Sequence, residues 1–458
     1  MKWFWRILGI LFLFLFGYGI HYCQEALPII SGYNAKIMGS GVFLAGRAEN
    51  QIRAEDLGYF PLNLASTEVN YKDSTVKATV FGFAEKLSLF RKGAGCTLVN
   101  DFSLDSLKKQ SWPVHLPIDQ SKIQWPLGDL DNRPIPSNID SNLLSQFIEK
   151  EFQEEDSSNK LGTRALLVLY KGQIIAEHYA KGFNTYTPLL GWSMAKSVTS
   201  AMTGILVHEG RLNLDSTVLV EEWEGKDDPR KAILLENLLQ QNDGLSFEED
   251  YAKHSDVTEM LFERGDMAHF TAEHPLIHKP GQVFNYSSGN VNLLSRIIRR
   301  SIGEKSYKDF LFQHLFKPLG MFHSTMEPDP SGTLVGSSYM YASARDWARF
   351  GLLYYNHGII GKDTLLSKDF IQRTLIPPIS SKNGQYGYLF WLNLGAKDHP
   401  EKRKFKDVPR DAFYADGFEG QIICIIPSRD FILVRLGLSP GKVFNPNRLI
   451  SKILTCIH

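Results

Sequence analysis

Two apolar hairpin patterns, set far apart in the chain, constrain the fold most. The stretch "RALLVLYKGQIIAEHYAKG", residues 164–182, reads as two strands joined at Lys171 and Gly172, and "GQIICIIPSRDFILVRLG", residues 420–437, as two more around Pro427 and Ser428. An amphipathic helix, "SNLLSQFIEKEFQEE" with Ser141 as its cap, precedes the first pair, and a last helix, "NRLISKILTCIH", follows the second. A helix leading into an antiparallel hairpin predicts an α/β (α+β) sandwich, in which helices cover an antiparallel sheet to which both hairpins contribute. It argues against a doubly wound parallel fold.

The rest of the chain is organised around that unit. With 458 residues the protein is too long for one ordinary domain. Residues 23–112 carry short alternating stretches such as "STVKATVFGF" and "AGCTLVN" with glycines between them, which predicts a small β-rich region. Residues 113–139 hold five prolines and little periodicity, the composition of a linker or an extended wrap-around segment, so the domain boundary is placed there and the main unit at residues 140–458. Residues 1–22 place Lys2 and Arg6 before fourteen uncharged residues, Ile7 to Ile20, the layout of an export signal or a membrane anchor. Gly17 and Gly19 fit a cleavage site, while Trp3, Phe4 and Tyr18 fit interfacial anchors, and both readings stay open. Either one places the body of the protein in the cell envelope, outside the cytoplasm, with membrane contact only through this segment.

Composition removes several function classes. Lysine plus arginine equals aspartate plus glutamate at 50 each, without a long run of one sign, so a nucleic-acid partner is not expected. Cys23, Cys96, Cys424 and Cys456 show no close pair, which removes a redox CxxC and a zinc ribbon. Cys424 and Cys456 could form a disulfide in an exported protein, and buried free thiols fit equally well. There is no GxSxG elbow, Walker A loop, GxGxxG after a strand or HExxH, and the histidines are scattered. No metal or cofactor is expected.

The chemistry concentrates in "GWSMAKSV", residues 191–198. Serine, any two residues and lysine occurs five times, at Ser74/Lys77, Ser106/Lys109, Ser157/Lys160, Ser193/Lys196 and Ser439/Lys442, so context must choose. Ser193 opens a segment in which Met194, Val198, Ala201, Ile205 and Leu206 recur at helical spacing up to a plausible cap at Gly210. There a developing oxyanion meets the positive end of a helix, and Lys196 falls on the same face one turn later. Burial of that face would lower the lysine pKa towards that of a usable base. A capping serine beside an exposed lysine is the plain alternative. Two further stretches matter. "HKPGQVFNYSSGNVNLLSRIIRRSIG" brings Tyr286 to the junction of an extended run and a helix, with Ser287 and Ser288 opening the helix. "YADGFEGQ", residues 414–421, has Gly417 and Gly420 bracketing a possible edge strand, where a main-chain N–H can approach a ligand.

Together with "LLENLLQQNDGLSFEEDY" and "YASARDWARFGLLYYNHG", these phrases make the chain from about residue 140 to its end resemble the penicillin-recognising serine hydrolases related to class C β-lactamases, and within them the 6-aminohexanoate-dimer hydrolase type. The resemblance implies a sheet flanked by helices plus an all-helical subdomain. It implies Ser193 as acylated nucleophile, Lys196 as its base and Tyr286 as the acid/base that serves the leaving group. It further implies an oxyanion hole formed by the backbone N–H groups of Ser193 and Phe418. Ser288 takes the last place of the family's Tyr-x-Asn motif, and Gly417 the glycine of Lys-Thr-Gly, with Asp416 standing where that lysine would be. Tyr251 of "FEEDY" and Trp391 of "GYLFWLN" match substrate-contacting aromatics. What this implies is an enzyme cleaving a small-molecule ester or linear amide. A DD-peptidase or β-lactamase, and a catalytically silent envelope binding protein, are the alternatives.

Overall fold

The computed structural model describes residues 2–154 and 161–458. Its centre is a six-stranded antiparallel sheet in the spatial order Trp391–Leu392, Phe413–Gly417, Gln421–Ile426, Phe431–Gly437, Thr163–Tyr170 (β5) and Gln173–Tyr179 (β6). The two hairpins do meet: Phe431–Gly437 pairs with β5, with Phe431 opposite Tyr170 and Leu433 opposite Val168. The reason for the unbroken apolar run in β5 is that both of its faces are buried. Ala165, Leu167 and Leu169 enter the core shared with helix Ala195–His208 (α5) and helix Ala344–Tyr355, whereas Leu166, Val168 and Tyr170 enter the core shared with helix Ser141–Lys150 (α4) and the terminal helix Pro446–Leu454. The sheet is therefore the middle of three layers.

Between β6 and Trp391 the chain leaves the sheet and builds a second, mainly helical body that includes Asp256–Glu263, Met267–Ala272 and Ser288–Ile302. It is not all helical. Leu189–Leu190, Ser324–Met326 and Met340–Ala342 form a small three-stranded sheet at its junction with α5. Such two- and three-residue strands leave no periodic signature. Residues 113–139 hold no helix or strand and fold through turns at 121–129 against the sheet unit: the Trp125 indole donates to the Gly172 carbonyl at 2.9 Å, and Arg349 donates to the carbonyls of Pro126 and Gly128 at 2.6 and 2.8 Å. All four cysteines are unpaired, Cys23 exposed and the others buried.

The N-terminal region corrects the expectation of β structure over residues 23–112. Helix Lys2–Gly39 (α1) runs through the apolar leader and on into the protein, followed by a π turn at Ser40–Leu44 and helix Glu49–Glu55 (α2). A meander of four strands, Ala65–Asn70 (β1), Thr75–Val80 (β2), Phe83–Arg91 (β3) and Gly95–Leu98 (β4), occupies only the later part, before the short helix Leu104–Lys108 (α3). The small residues of "SGYNAKIMGSG" serve close packing. A Cβ on Gly39 would lie 2.7 Å from Ser88 Oγ of β3, and one on Gly32 would lie 3.0 Å from the Phe262 carbonyl oxygen. Only glycine lets α1 settle this closely between the meander and the helical body. By length and composition α1 suffices to cross a membrane.

One charge pair fastens α1 to the rest. Lys36 and Glu327, both fully buried, meet at 2.6 Å, while the Ser40 hydroxyl and the Cys96 N–H also donate to Glu327 at 2.9 and 2.6 Å. Removing one member leaves an unpaired charge in the core, so Lys36→Met is expected to cost about 3–5 kcal/mol. A fall in the urea midpoint checks this, and the pair Lys36→Met with Glu327→Leu should recover part of the loss.

Candidate active site

Ser193 lies where strand Leu189–Leu190 turns into α5. A 3-10 turn at Trp192–Met194 runs directly into the helix, and neither the turn nor α5 has a side-chain cap bond. Ser193 is thus not spent on capping. Trp192 holds a left-handed backbone (φ +48°), a conformation that costs a bulky residue about 1–3 kcal/mol and survives only where the surroundings fix it. They do so here. The indole is buried, stacked on Tyr33 of α1 at 5.8 Å and edge-on to Phe418 at 5.6 Å. Behind it, a Cβ on Gly417 would lie 2.2 Å from the Gly191 carbonyl oxygen, so strand Phe413–Gly417, next to the short edge strand Trp391–Leu392, approaches the Trp192–Met194 turn as closely as only glycine permits.

Lys196, the second residue of α5 and one turn after Ser193, is 1 % exposed, and its ammonium donates to Ser193 Oγ at 3.1 Å, Ser288 Oγ at 2.9 Å and the Ser337 carbonyl at 3.0 Å. Burial lowers its pKa to about 8, against an opposing pull from Glu249. An amine of that pKa is free base in a usable fraction near neutrality. The alternative of an exposed lysine beside a capping serine does not describe this pair. Of the other four pairs, Lys77 reaches out to Glu68 at 3.1 Å and Ser106 donates to the Ser103 carbonyl at 2.7 Å. The Ser439 hydroxyl is turned to the Leu161 carbonyl, and Ser157/Lys160 lies outside the described residues.

Tyr286 precedes helix Ser288–Ile302, with its ring 4.8 Å from the Lys196 ammonium. Burial, and then the negative charge of Glu249, push its phenol well above the usual tyrosine range, while a hydrogen bond with Ser193 acts the other way. It is a neutral O–H beside the serine. Trp391 stacks on Tyr286 at 5.3 Å and Tyr386 meets it edge-on at 5.8 Å, so the phenol is held between two rings. Tyr251 stacks on Phe418 at 5.1 Å on the other side. Ser193, Tyr286, Trp391, Tyr251 and Phe418 are all half-buried. Ser288, in contrast, is fully buried and sits behind the lysine.

The residue that sequence reasoning missed is Glu249. It accepts from the Ser288 hydroxyl at 2.5 Å and from the Ser288 N–H at 2.7 Å, and lies 4.0 Å from the Lys196 ammonium. Tyr251 also donates to it, at 3.3 Å. Because the Glu249 charge raises the Lys196 pKa, Glu249→Gln should lower it further and move the acid limb of kcat/KM to lower pH. Measuring the pH profile separates this from a merely structural role, which would reduce the rate without displacing the limb. At the cleft edge Asp416 pairs with Lys404 at 2.9 Å, and that ammonium also lies over the Trp391 ring at 5.6 Å. Among the described residues no group of histidine, cysteine, aspartate and glutamate could hold a metal ion.

Comparison with known proteins agrees with this architecture. The model of the beta-lactamase family matches residues 148–446. The protein flp of Staphylococcus aureus (strain MW2) is 33% identical over 138 residues, 29% of this chain and 27% of that protein, so the match spans about a quarter of that relative's length. The 6-aminohexanoate-dimer hydrolase of Paenarthrobacter ureafaciens is 25% identical over 291 residues, covering 61% of this chain and 73% of that one. Among solved structures, a penicillin-binding protein homolog from Caulobacter crescentus superposes with a TM-score of 0.51 at 17% identity, over 71% of this chain and all of that one. This last likeness shows the fold.

Proposed function

The chain belongs to the beta-lactamase family, and on that premise we propose that it is an envelope serine hydrolase that cleaves an ester or linear amide through an acyl-enzyme on Ser193. The single observation carrying this reading is the buried Lys196 ammonium at 3.1 Å from Ser193 Oγ, with its pKa lowered to about 8. In its free-base form Lys196 takes the Ser193 proton as Oγ attacks the substrate carbonyl. The backbone N–H groups of Ser193 and Phe418 receive the oxyanion. Tyr286 passes a proton to the departing alcohol or amine as the carbon–heteroatom bond breaks. The Lys196 ammonium then returns a proton to Tyr286, which frees the lysine amine; water attacks the acyl-enzyme and gives its proton to that amine, and Ser193 Oγ recovers it as the acyl–oxygen bond breaks and the acid is released.

Substrate class follows from the rim. Tyr251, Trp391 and Phe418 offer aromatic faces to an apolar acyl or leaving group. The edge position before Gly417 carries Asp416, and Lys404 beside it is already neutralised by that carboxylate. A β-lactam carboxylate would find little attraction there, so nitrocefin should turn over slowly or not at all. A linear amide or ester fits better, in keeping with the 6-aminohexanoate-dimer hydrolase relative. The test is covalent: a fluorophosphonate probe should label Ser193, located by mass spectrometry of the tryptic peptides. Absence of a Ser193 adduct under conditions that label a control serine hydrolase would overturn the reading in favour of a silent binding protein.

A further inference from the structure

The apolar half of α1 and the half that fills the core are one helix. From Trp3 to Tyr22 most of its large apolar side chains are exposed, whereas most of residues 30–41 are buried, and the helix passes from one regime to the other without a break at Pro28. Trp3 to Tyr22 is twenty residues, or ~30 Å of helix, the thickness of a bilayer's hydrocarbon core, with Arg6 and His21 near its two ends and the fourteen uncharged residues Ile7 to Ile20 between them. Lys2 and Arg6 stand at its outer end.

The folded part around the exit point carries its own unexplained feature. Ser31 donates to the Ala84 carbonyl at 2.5 Å and Asn34 to the Leu62 carbonyl at 3.2 Å, which brings the β2–β3 turn and the loop before Leu62 against α1 just where it emerges. At the turn are Phe81 and Phe83, each 71% exposed, and in the loop is Phe60, 76% exposed. Phe81 and Gly82 both hold left-handed backbones, φ +53° and +81°. Asparagine, aspartate or glycine is the ordinary choice at the first of these positions, and a phenylalanine is strained there. It buries little of itself in return. The opposite end of the meander is oriented away: Tyr71, at the β1–β2 turn, meets Phe43 at 5.8 Å, twelve residues further along the N-terminal segment than Ser31.

We propose that α1 is a retained membrane anchor and that Phe60, Phe81 and Phe83 form an aromatic collar seated in the lipid interface of the same bilayer. Tryptophan and tyrosine mark the headgroup level, and phenylalanine serves beside them on the apolar face of segments that dip just beneath it. The strained, exposed Phe81 then has an apolar environment after all. A folded unit held both by a helix and by a collar at its exit has one orientation to the membrane. Because Tyr33 of α1 stacks on Trp192, the anchor also ends against the nucleophile turn.

The experiment uses the full chain in a Cys23→Ser background, where the remaining cysteines are buried. A single cysteine is introduced by Phe81→Cys or, at the far end of β2, by Lys72→Cys, labelled with an environment-sensitive nitrobenzoxadiazole dye, and reconstituted into phosphatidylethanolamine/phosphatidylglycerol vesicles. The label at 81 should be blue-shifted and quenched by lipid spin-labelled near the headgroup, and the label at 72 should report water in the same vesicles. Both proteins should melt near the parent temperature, and the protein isolated from membranes should retain its N-terminal residues by intact mass. A label at 81 as wet and unquenched as that at 72, or a mature chain starting beyond residue 20, would overturn the proposal. Neither readout depends on hydrolase activity.

Discussion

Ser193→Ala is expected to lower kcat/KM towards a p-nitrophenyl ester by a factor on the order of 10^4 or more. The size follows from the role proposed for the hydroxyl. A serine that forms the acyl-enzyme divides one difficult hydrolysis into two easier steps, and without it the cleft retains only binding and oxyanion stabilisation. Lys196 cannot take its place, because its amine is fixed by Ser288 and the Ser337 carbonyl in the wall behind the serine. The substitution removes one half-buried oxygen, so circular dichroism and the melting temperature should stay near those of the parent. A Ser193→Ala protein that hydrolyses the ester at the parent rate would show that the chemistry lies elsewhere.

The legibility of this site in the sequence differed residue by residue, and the differences have physical causes. Ser193, Lys196 and Tyr286 could be picked out because each stands at an element boundary that hydrophobic periodicity marks. The central sheet was legible for a similar reason: a strand buried on both faces, such as β5, is an uninterrupted apolar run between turn residues. Glu249 was not legible. It is one of three consecutive acidic residues, and only the folded chain separates them: Glu248 pairs at the surface with Lys253 at 2.6 Å, Asp250 accepts from the Ala252 N–H at 2.9 Å, and Glu249 alone reaches Ser288. The strained Trp192 was equally hidden, since its conformation is imposed by Tyr33 and Phe418 from distant parts of the chain. The helix over residues 23–39 was misread because glycine and serine mark turns locally but permit close helix packing when the neighbours are non-local, as Gly39 against Ser88 illustrates.

Lys196→Met should reduce kcat by roughly 10^3–10^4, and the form of its pH dependence identifies the cause. On the proposed mechanism the active form of the parent protein holds a neutral amine. With a pKa of about 8, roughly one molecule in ten is competent at pH 7, so kcat/KM should rise about tenfold per unit on the acid side and level off above pH 8. Lowering the pH through that value protonates the base and removes activity. Methionine has comparable length and no charge and leaves the buried site filled, so the limb should vanish along with most of the rate. Lys196→Arg provides the sharper comparison. A guanidinium keeps the positive charge but does not deprotonate in this range. If Lys196 acted only by electrostatic attraction, the arginine protein would retain much of the rate. As a general base its loss should match that of methionine. The double variant Ser193→Ala/Lys196→Met should be little worse than Ser193→Ala alone, because a base without its nucleophile has no proton to take.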